Sequence, residues 1–194
     1  MLTLYYSPGS SSMATHIALY EVGAPFELKL TALHRDENRA PGYLAVNPEG
    51  KVPALIVDGR PLTEVAATLW YLARRYPEAA LLPQHGDVEA EARVISWMSF
   101  IASTIHPARR IGDDRWREVF HLAEQRLGSD DWTVDRYSIA DIHLFRLYWR
   151  FVKTLEPPKS SYPNLSAHYD RMMTRPAVQR TITAETAVGY NLPR

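Results

Sequence analysis

The stretch Val52-Pro53-Ala54-Leu55-Ile56-Val57-Asp58-Gly59-Arg60-Pro61-Leu62-Thr63 reads as a β-hairpin. An apolar run enters Asp58-Gly59, a pair whose backbone readily takes the positive φ of a primed two-residue turn, and a second short run leaves it. Pro53 and Pro61 cannot donate to a ladder, which confines the first to a strand entrance and the second to an edge strand. Thr63 is a natural helix cap, and Ala66, Leu69, Trp70, Ala73 and Tyr76 follow at helical spacing until Pro77 stops them. The hairpin therefore feeds a helix.

Working back toward the N-terminus, Leu2–Tyr6 reads as a strand, Ser11–Val22 as a helix closed by Gly23, and Phe26–Leu30 as a second strand. The first part of the chain is thus βαβ followed by ββα. Downstream of a polar connector, Pro83-Gln84-His85-Gly86, everything reads as helix. Val94, Met98, Ile101 and Ile105 keep a 3.6-residue period up to Pro107, and Trp116–Leu127 forms another amphipathic segment ending at Gly128. In Tyr137-Ser138-Ile139-Ala140-Asp141-Ile142, Ser138 and Asp141 have the spacing of a capping box, with Tyr137 and Ile142 placed as a hydrophobic staple. Pro157-Pro158 ends that helix, a further one runs from about Pro163 to Thr174, and Pro176 opens a last short one. The expected organisation is an α/β domain over 1-78, a linker over 79-86 and an all-α domain over 87-194.

Bulk properties narrow the function. The 194 residues carry 22 basic and 22 acidic side chains with no block of like charge, which argues against a nucleic-acid partner. Nowhere do about 18 apolar residues run together, and the N-terminus has no basic n-region, so a cytoplasmic protein without membrane association is expected. There is no cysteine, which removes disulfides, thiolate metal sites and cysteine nucleophiles, and no metal is expected. Any sulfur chemistry must come from a ligand.

Three stretches carry chemical promise. Tyr6-Ser7-Pro8-Gly9-Ser10-Ser11-Ser12-Met13 hands a strand to a helix through a serine-rich turn. First-turn amides lack intrahelical partners and the dipole's positive end lies there, so the turn suits an anion, while the same serines also suit simple capping. In Asn47-Pro48-Glu49-Gly50-Lys51-Val52-Pro53-Ala54 an X-Pro bond stands at a strand entrance; a cis form would let Val52 present its N–H and C=O to an extended peptide. Leu62-Thr63-Glu64-Val65 places an acid in a first helical turn, where dipole compensation is its simplest role.

In this order the three stretches resemble the glutathione transferase family. The opening over Tyr6–Leu19 is similar to that of the bacterial beta class, Val46–Ala54 with Leu62–Glu64 to its glutathione-site core, and Ser138–Asp141, Tyr162–Leu165 and Arg175–Val178 to its helical-domain motifs. The resemblance implies a thioredoxin-like N-terminal domain in front of an all-helical one, glutathione as co-substrate, a hydrophobic electrophile held in a hydrophobic cleft, and a homodimer. It also implies roles. Glu64 pairs with the γ-glutamyl ammonium, the amides of Glu64 and Val65 hold the neighbouring carboxylate, and Val52, before Pro53, bonds the cysteinyl unit. Lys51 and Arg35, or His34, are the cations for the glycyl end. Ser11 is the first choice to hold the thiolate, with Ser10 and Ser12 next and Tyr6 as the alternative donor. His106 matches a histidine near the sulfur and Ser99 a contact to the partner subunit's glutathione. His16 reads as structural.

A free thiol of pKa about 8.5 is only about 3% ionised at pH 7, and lowering it by about two units takes about 2.7 kcal/mol. One hydroxyl bond to a charged acceptor gives about 1.5 to 3 kcal/mol and a helix N-terminus about 0.3 to 1, so the two suffice together. The chain departs from the beta class in two places. Serine stands at Ser11, where cysteine is usual, so no mixed disulfide with glutathione can form, and Val65 replaces a small or hydroxylated residue. A non-catalytic binding protein of the same fold is the rival reading; a maleyl-type isomerase would carry a serine-serine-cysteine run that is missing here.

Overall fold

The computed structural model describes residues 1–191. It divides into two compact units, Met1–Ala79 with residues 176–191, and Ala80–Arg175.

In the first unit β1 (Leu2–Tyr6), α1 (Ser12–Val22) and β2 (Phe26–Leu30) form the βαβ half. After short 3-10 turns and a four-residue helix α2 (Pro41–Leu44) come β3 (Ala54–Val57), β4 (Arg60–Thr63) and α3 (Val65–Arg75). The sheet order is β2-β1-β3-β4, with β1 parallel to β2 and antiparallel to β3. This is the thioredoxin-like arrangement expected from the sequence. Asp58 and Gly59 both have positive φ, 48° and 83°, as a primed hairpin turn requires. On β1 the side chains of Leu2, Leu4 and Tyr6 are buried and those between them less so, the period-two pattern of a strand with one face on the core. α1 is buried almost all round, Ser12 to Leu19 without a break.

Two boundaries differ from the sequence reading. Thr63 was expected to cap a helix, yet it is the last residue of β4, paired with Ala54, and the helix begins after Glu64. Ladder pairing outcompetes the cap because the hairpin's two arms are of equal length, Ala54–Val57 against Arg60–Thr63.

The second unit is helical: α4 (Val88–Phe100), a π-turn over Ile101–Ile105, α5 (His106–Ile111), α6 (Asp113–Leu127), α7 (Ile139–Leu155) and α8 (Pro163–Met173). The second difference lies here. The sequence reading stops the first helix at Pro107, whereas the structure carries it through to Ile111, with the His106 amide bonding to the Ile101 carbonyl five residues back. A proline gives no amide hydrogen and its ring crowds the carbonyl four residues earlier; a widened turn makes room for it.

Trp116, Phe120, Tyr148, Phe151 and Tyr162 form the aromatic core of this unit, with Phe120 and Phe151 4.4 Å apart. The capping box is present: Ser138 Oγ accepts the Ala140 amide at 3.2 Å and Asp141 accepts the Ser138 amide at 2.8 Å. Asp141, fully buried, also takes the Thr133 amide at 2.8 Å and faces His168 Nε2 at 3.0 Å, so it joins three segments. Glu124 on α6 accepts the amides of Asn164 and Leu165, capping α8 from a neighbouring helix.

The last helix is α9 (Pro176–Val188), which sequence position alone puts with the helical segment. In the structure it packs along α1 and belongs to the first unit, held by a buried stripe of Ala177, Val178, Thr181 and Glu185.

Burial shifts several titrations. It pushes the hydroxyls of Tyr43 and Tyr148 up to about 12, and pushes His143 on α7 down to about 3, helped by His106 and Arg146. A raised tyrosine ionises first in the unfolded chain, so stability falls as pH rises from 10 toward 12; a depressed histidine is protonated first in the unfolded chain, so stability falls as pH drops from 6.5 toward 3. Urea midpoints measured at about pH 4.5, 8 and 11 should therefore peak at the middle value. A flat profile would contradict these assignments.

Candidate active site

The register of the sheet decides where the suggestive stretches go. Tyr6 lies beside Leu30, Tyr5 beside Ala54, and Ala54 beside Thr63. The end of β1, the end of β2, the start of β3 and the end of β4 therefore share one end of the sheet. From it leave the Ser7–Ser12 turn, the segment carrying His34 and Arg35, the Lys51–Pro53 approach and the Glu64–Val65 helix start. Segments that lie between Ser7 and Val65 in the sequence are thus gathered by backbone pairing, an arrangement typical of ligand sites at strand ends.

The serine turn is tightly bonded within itself. Ser12 Oγ donates to the Ser7 carbonyl at 3.1 Å, accepts the Ser7 amide at 3.1 Å and lies 2.8 Å from Ser10 Oγ. Ser7, Ser10 and Ser12 are all buried. Ser11 differs: it is half-buried, occupies the N-cap position of α1, and its side chain makes no capping bond. The turn also has a distant anchor. The Gly9 amide, on a residue with φ 68°, donates to Glu185 Oε2 at 2.6 Å, and Glu185 Oε1 lies 2.9 Å from His16 Nδ1. Tyr6 points elsewhere. It is buried on the core face of β1, its ring edge-on to His16 at 5.7 Å, and its hydroxyl is pushed up by burial and then by Glu185 and Tyr20.

The Val52–Pro53 bond is cis and both residues are buried. The Lys51 carbonyl just before them is held by two donors, the Tyr43 hydroxyl from α2 and Asn47 Nδ2 at 2.8 Å. Asn38 Nδ2 donates to the Gly50 carbonyl at 2.7 Å. Lys51 itself is exposed and pairs with Glu49, and Arg35 and His34 are exposed at the end of β2. Glu64 is exposed with φ 68° and ψ 129°, an unusual backbone for a non-glycine residue, and turns the chain so that α3 starts with the buried Val65. Among the described residues no group of three or more histidine, aspartate or glutamate side chains is placed to hold a metal.

His106 and Ser99 belong to the helical unit. His106 opens α5 at the end of the π-turn and is half-buried; Ser99 is exposed on α4, its carbonyl accepting Ser103 Oγ at 2.8 Å. Sequence reasoning missed Tyr43, Asn38, Asn47 and Glu185. Asn47, Tyr43 and Asn38 reach main chain only 4, 8 and 12 residues on but lie in irregular turns, and Glu185 reaches Gly9 across 176 residues, so no periodic pattern carries any of them.

A thioredoxin-like unit whose strand ends gather an anion-suited helix start, a cis-proline edge and an acid at a second helix start suits an extended peptide that carries both carboxylate and ammonium groups. The comparisons agree. Residues 1–74 match the model for the N-terminal domain of glutathione S-transferase and residues 99–176 the model for its C-terminal domain. Glutathione S-transferase GstA of Escherichia coli O157:H7 is 31% identical, the match covering 95% of this chain and 98% of that protein. A beta class glutathione S-transferase from Sphingomonas chungbukensis is 34% identical with a TM-score of 0.81, covering 94% of this chain and 98% of that one. A sphingomonad glutathione S-transferase solved with glutathione is 32% identical with a TM-score of 0.83, covering 95% and 98%. The chain belongs to the glutathione S-transferase family.

Gly50 tests the Lys51–Pro53 approach. It has φ 61°, and a Cβ there would lie 2.9 Å from the Asn38 carbonyl oxygen and 2.7 Å from the Arg39 guanidinium. Gly50→Ala should cost about 1 kcal/mol or more, from left-handed strain together with the backbone clash. The fall in the urea midpoint should come with weaker glutathione binding by calorimetry; unchanged affinity would detach this loop from the site.

Proposed function

We propose that this glutathione transferase activates the thiol of glutathione through Ser11, with the α1 N-terminus behind it. The carrying observation is the serine turn. Ser10 and Ser12 are buried in mutual bonds that fix the loop, and Ser11 stands half-exposed at the N-cap between them. A hydroxyl and a helix terminus acting together would supply the roughly 2 to 4 kcal/mol that converts a thiol into mainly thiolate at neutral pH. The buried, inward-facing Tyr6 supports the serine over the tyrosine.

The tripeptide would lie along the same end of the sheet. The Val52 backbone would bond its cysteinyl unit, Glu64 its ammonium, and the amides of Glu64 and Val65 its γ-glutamyl carboxylate. Lys51 and Arg35 would be the cations for its glycyl carboxylate. The thiolate would then attack a hydrophobic electrophile, forming a carbon–sulfur bond as a leaving group departs with its electron pair, or as a π pair shifts onto the electrophile and takes a proton from solvent. The protein would work in the cytoplasm.

An ultraviolet titration of bound glutathione, in the native protein and in Ser11→Ala, tests the reading. Ionisation well below the free thiol's range, with Ser11→Ala raising the thiol pKa by about one unit or more, is expected. Binding without ionisation, or an unchanged value in the variant, would remove Ser11 from the role.

We also infer a homodimer. α4 leaves Ile95 and Ser99 exposed one turn apart, and α6 leaves Leu122 exposed. These helices are tied by Arg126, whose guanidinium lies 4.5 Å from the Trp97 ring and 4.9 Å from the Phe100 ring. Light scattering should give a dimer, and Ile95→Glu a monomer; a native monomer would end this reading.

A further inference from the structure

A carboxylate removed from water is costly unless its oxygens are satisfied, and Glu185 is fully buried. Its two oxygens are both spent on the start of the chain: Oε2 accepts the Gly9 amide at 2.6 Å and Oε1 meets His16 Nδ1 at 2.9 Å. The two partners lie on either side of Ser11. Gly9 belongs to the turn that leads into α1, and His16 is on α1 just over one turn beyond it, its ring packed by Tyr6, Tyr20 and Phe26. His16 Nε2 has no hydrogen-bond partner among the described residues, so the tie to Glu185 is what orients this ring in polar terms.

The bonds among Ser7, Ser10 and Ser12 fix the shape of the turn from within. Its placement depends on what it meets outside itself. Glu185, 176 residues away in sequence and carried on α9, grips it at Gly9, where the left-handed backbone turns the amide out of the loop. We propose that Glu185 is a positioning residue for the thiolate site: through Gly9 and His16 it holds the Ser11 hydroxyl and the first-turn amides of α1 where the sulfur is received. The inference rests on the role of Ser11 proposed above. The charge of Glu185 is not what helps, since a nearby negative charge opposes a thiolate; it is the placement of an acceptor.

That distinction makes the test. Glu185→Gln keeps an oxygen for the Gly9 amide and removes the charge, Glu185→Ala removes both, and Glu185→Asp keeps the charge but shortens the reach by one methylene. The three variants and the native protein are compared for glutathione affinity, for the pKa of the bound thiol by ultraviolet titration, and for folding by circular dichroism. Misplacing reactive groups by a fraction of an ångström is felt strongly, so Glu185→Ala should weaken glutathione binding about tenfold and raise the thiol pKa, and Glu185→Gln should restore both. Glu185→Asp should behave like Glu185→Ala; if the alanine variant does not fold, the aspartate and glutamine pair still gives the comparison.

A merely structural role predicts lower melting temperatures with the thiol pKa of the folded protein unchanged. That result in Glu185→Ala or Glu185→Asp would overturn the proposal, as would a glutamine variant no better than the aspartate one. Native protein that binds no glutathione, or binds it without ionising it, overturns the reading beneath and this inference with it. Native behaviour intact with the variants unshifted overturns this inference alone.

Discussion

The register of the four-stranded sheet is the constraint on which everything else in the first unit depends. Because a one-residue slip would send every side chain of a strand to the other face, the alternation of Leu2, Leu4 and Tyr6 with less buried neighbours locks β1 in place. The pairing of Tyr5 with Ala54, and of Ala54 with Thr63, then leaves no choice about where the next residues go. Pro53 reinforces this by closing the ladder where the approach begins. The site is thus a consequence of apolar burial before it is a consequence of any polar contact.

Gathering four segments at one sheet end concentrates backbone groups that cannot all pair with one another. The structure meets this with side chains whose work is to satisfy or aim main chain. Ser12 closes both polar groups of Ser7, Tyr43 and Asn47 converge on the Lys51 carbonyl, Asn38 holds Gly50, and Glu185 holds Gly9. The helical unit uses the same device in Asp141 and Glu124, each a buried or nearly buried carboxylate taking amides from other segments. Truncating Asp141 or Glu124 would leave buried amides without their carboxylate, which costs more than the bond contributes when made.

The strands, the primed turn, α1, α3 and the capping box were legible because each is specified within about a dozen residues. Asp58-Gly59 and Ser138 with Asp141 carry their geometry in their residue types. What escaped was whatever depends on a return of the chain. Nothing in Pro176–Val188 alone says that Glu185 faces inward; Val178, Thr181 and Glu185 share one helical face, but an acid on such a face ordinarily marks the solvent side. Tyr43 and Asn38 sit in a stretch of short turns without periodicity, so their grip on the Lys51–Gly50 backbone has no sequence signature. Pro107 misled in the other direction: a helix stop by rule, it was accommodated by a π-turn, and the helix bearing His106 went on.

Ser11 and Val65, which head α1 and α3, act in one direction. Ser11 brings no thiol to the first helix start and Val65 no hydroxyl to the second, so the proposed site leans on amides at the two helix starts. Backbone donors do not rotate to find a ligand; they are right or wrong according to where their helix begins. Ser11 heads α1 only as accurately as the turn before it is placed, and Val65 heads α3 only because Glu64 takes a backbone that few non-glycine residues adopt. Precision in such a site must come from the supporting contacts, from Glu185 beneath one helix start and from the β4 ladder leading into the other. A site with richer side chains could tolerate looser supports.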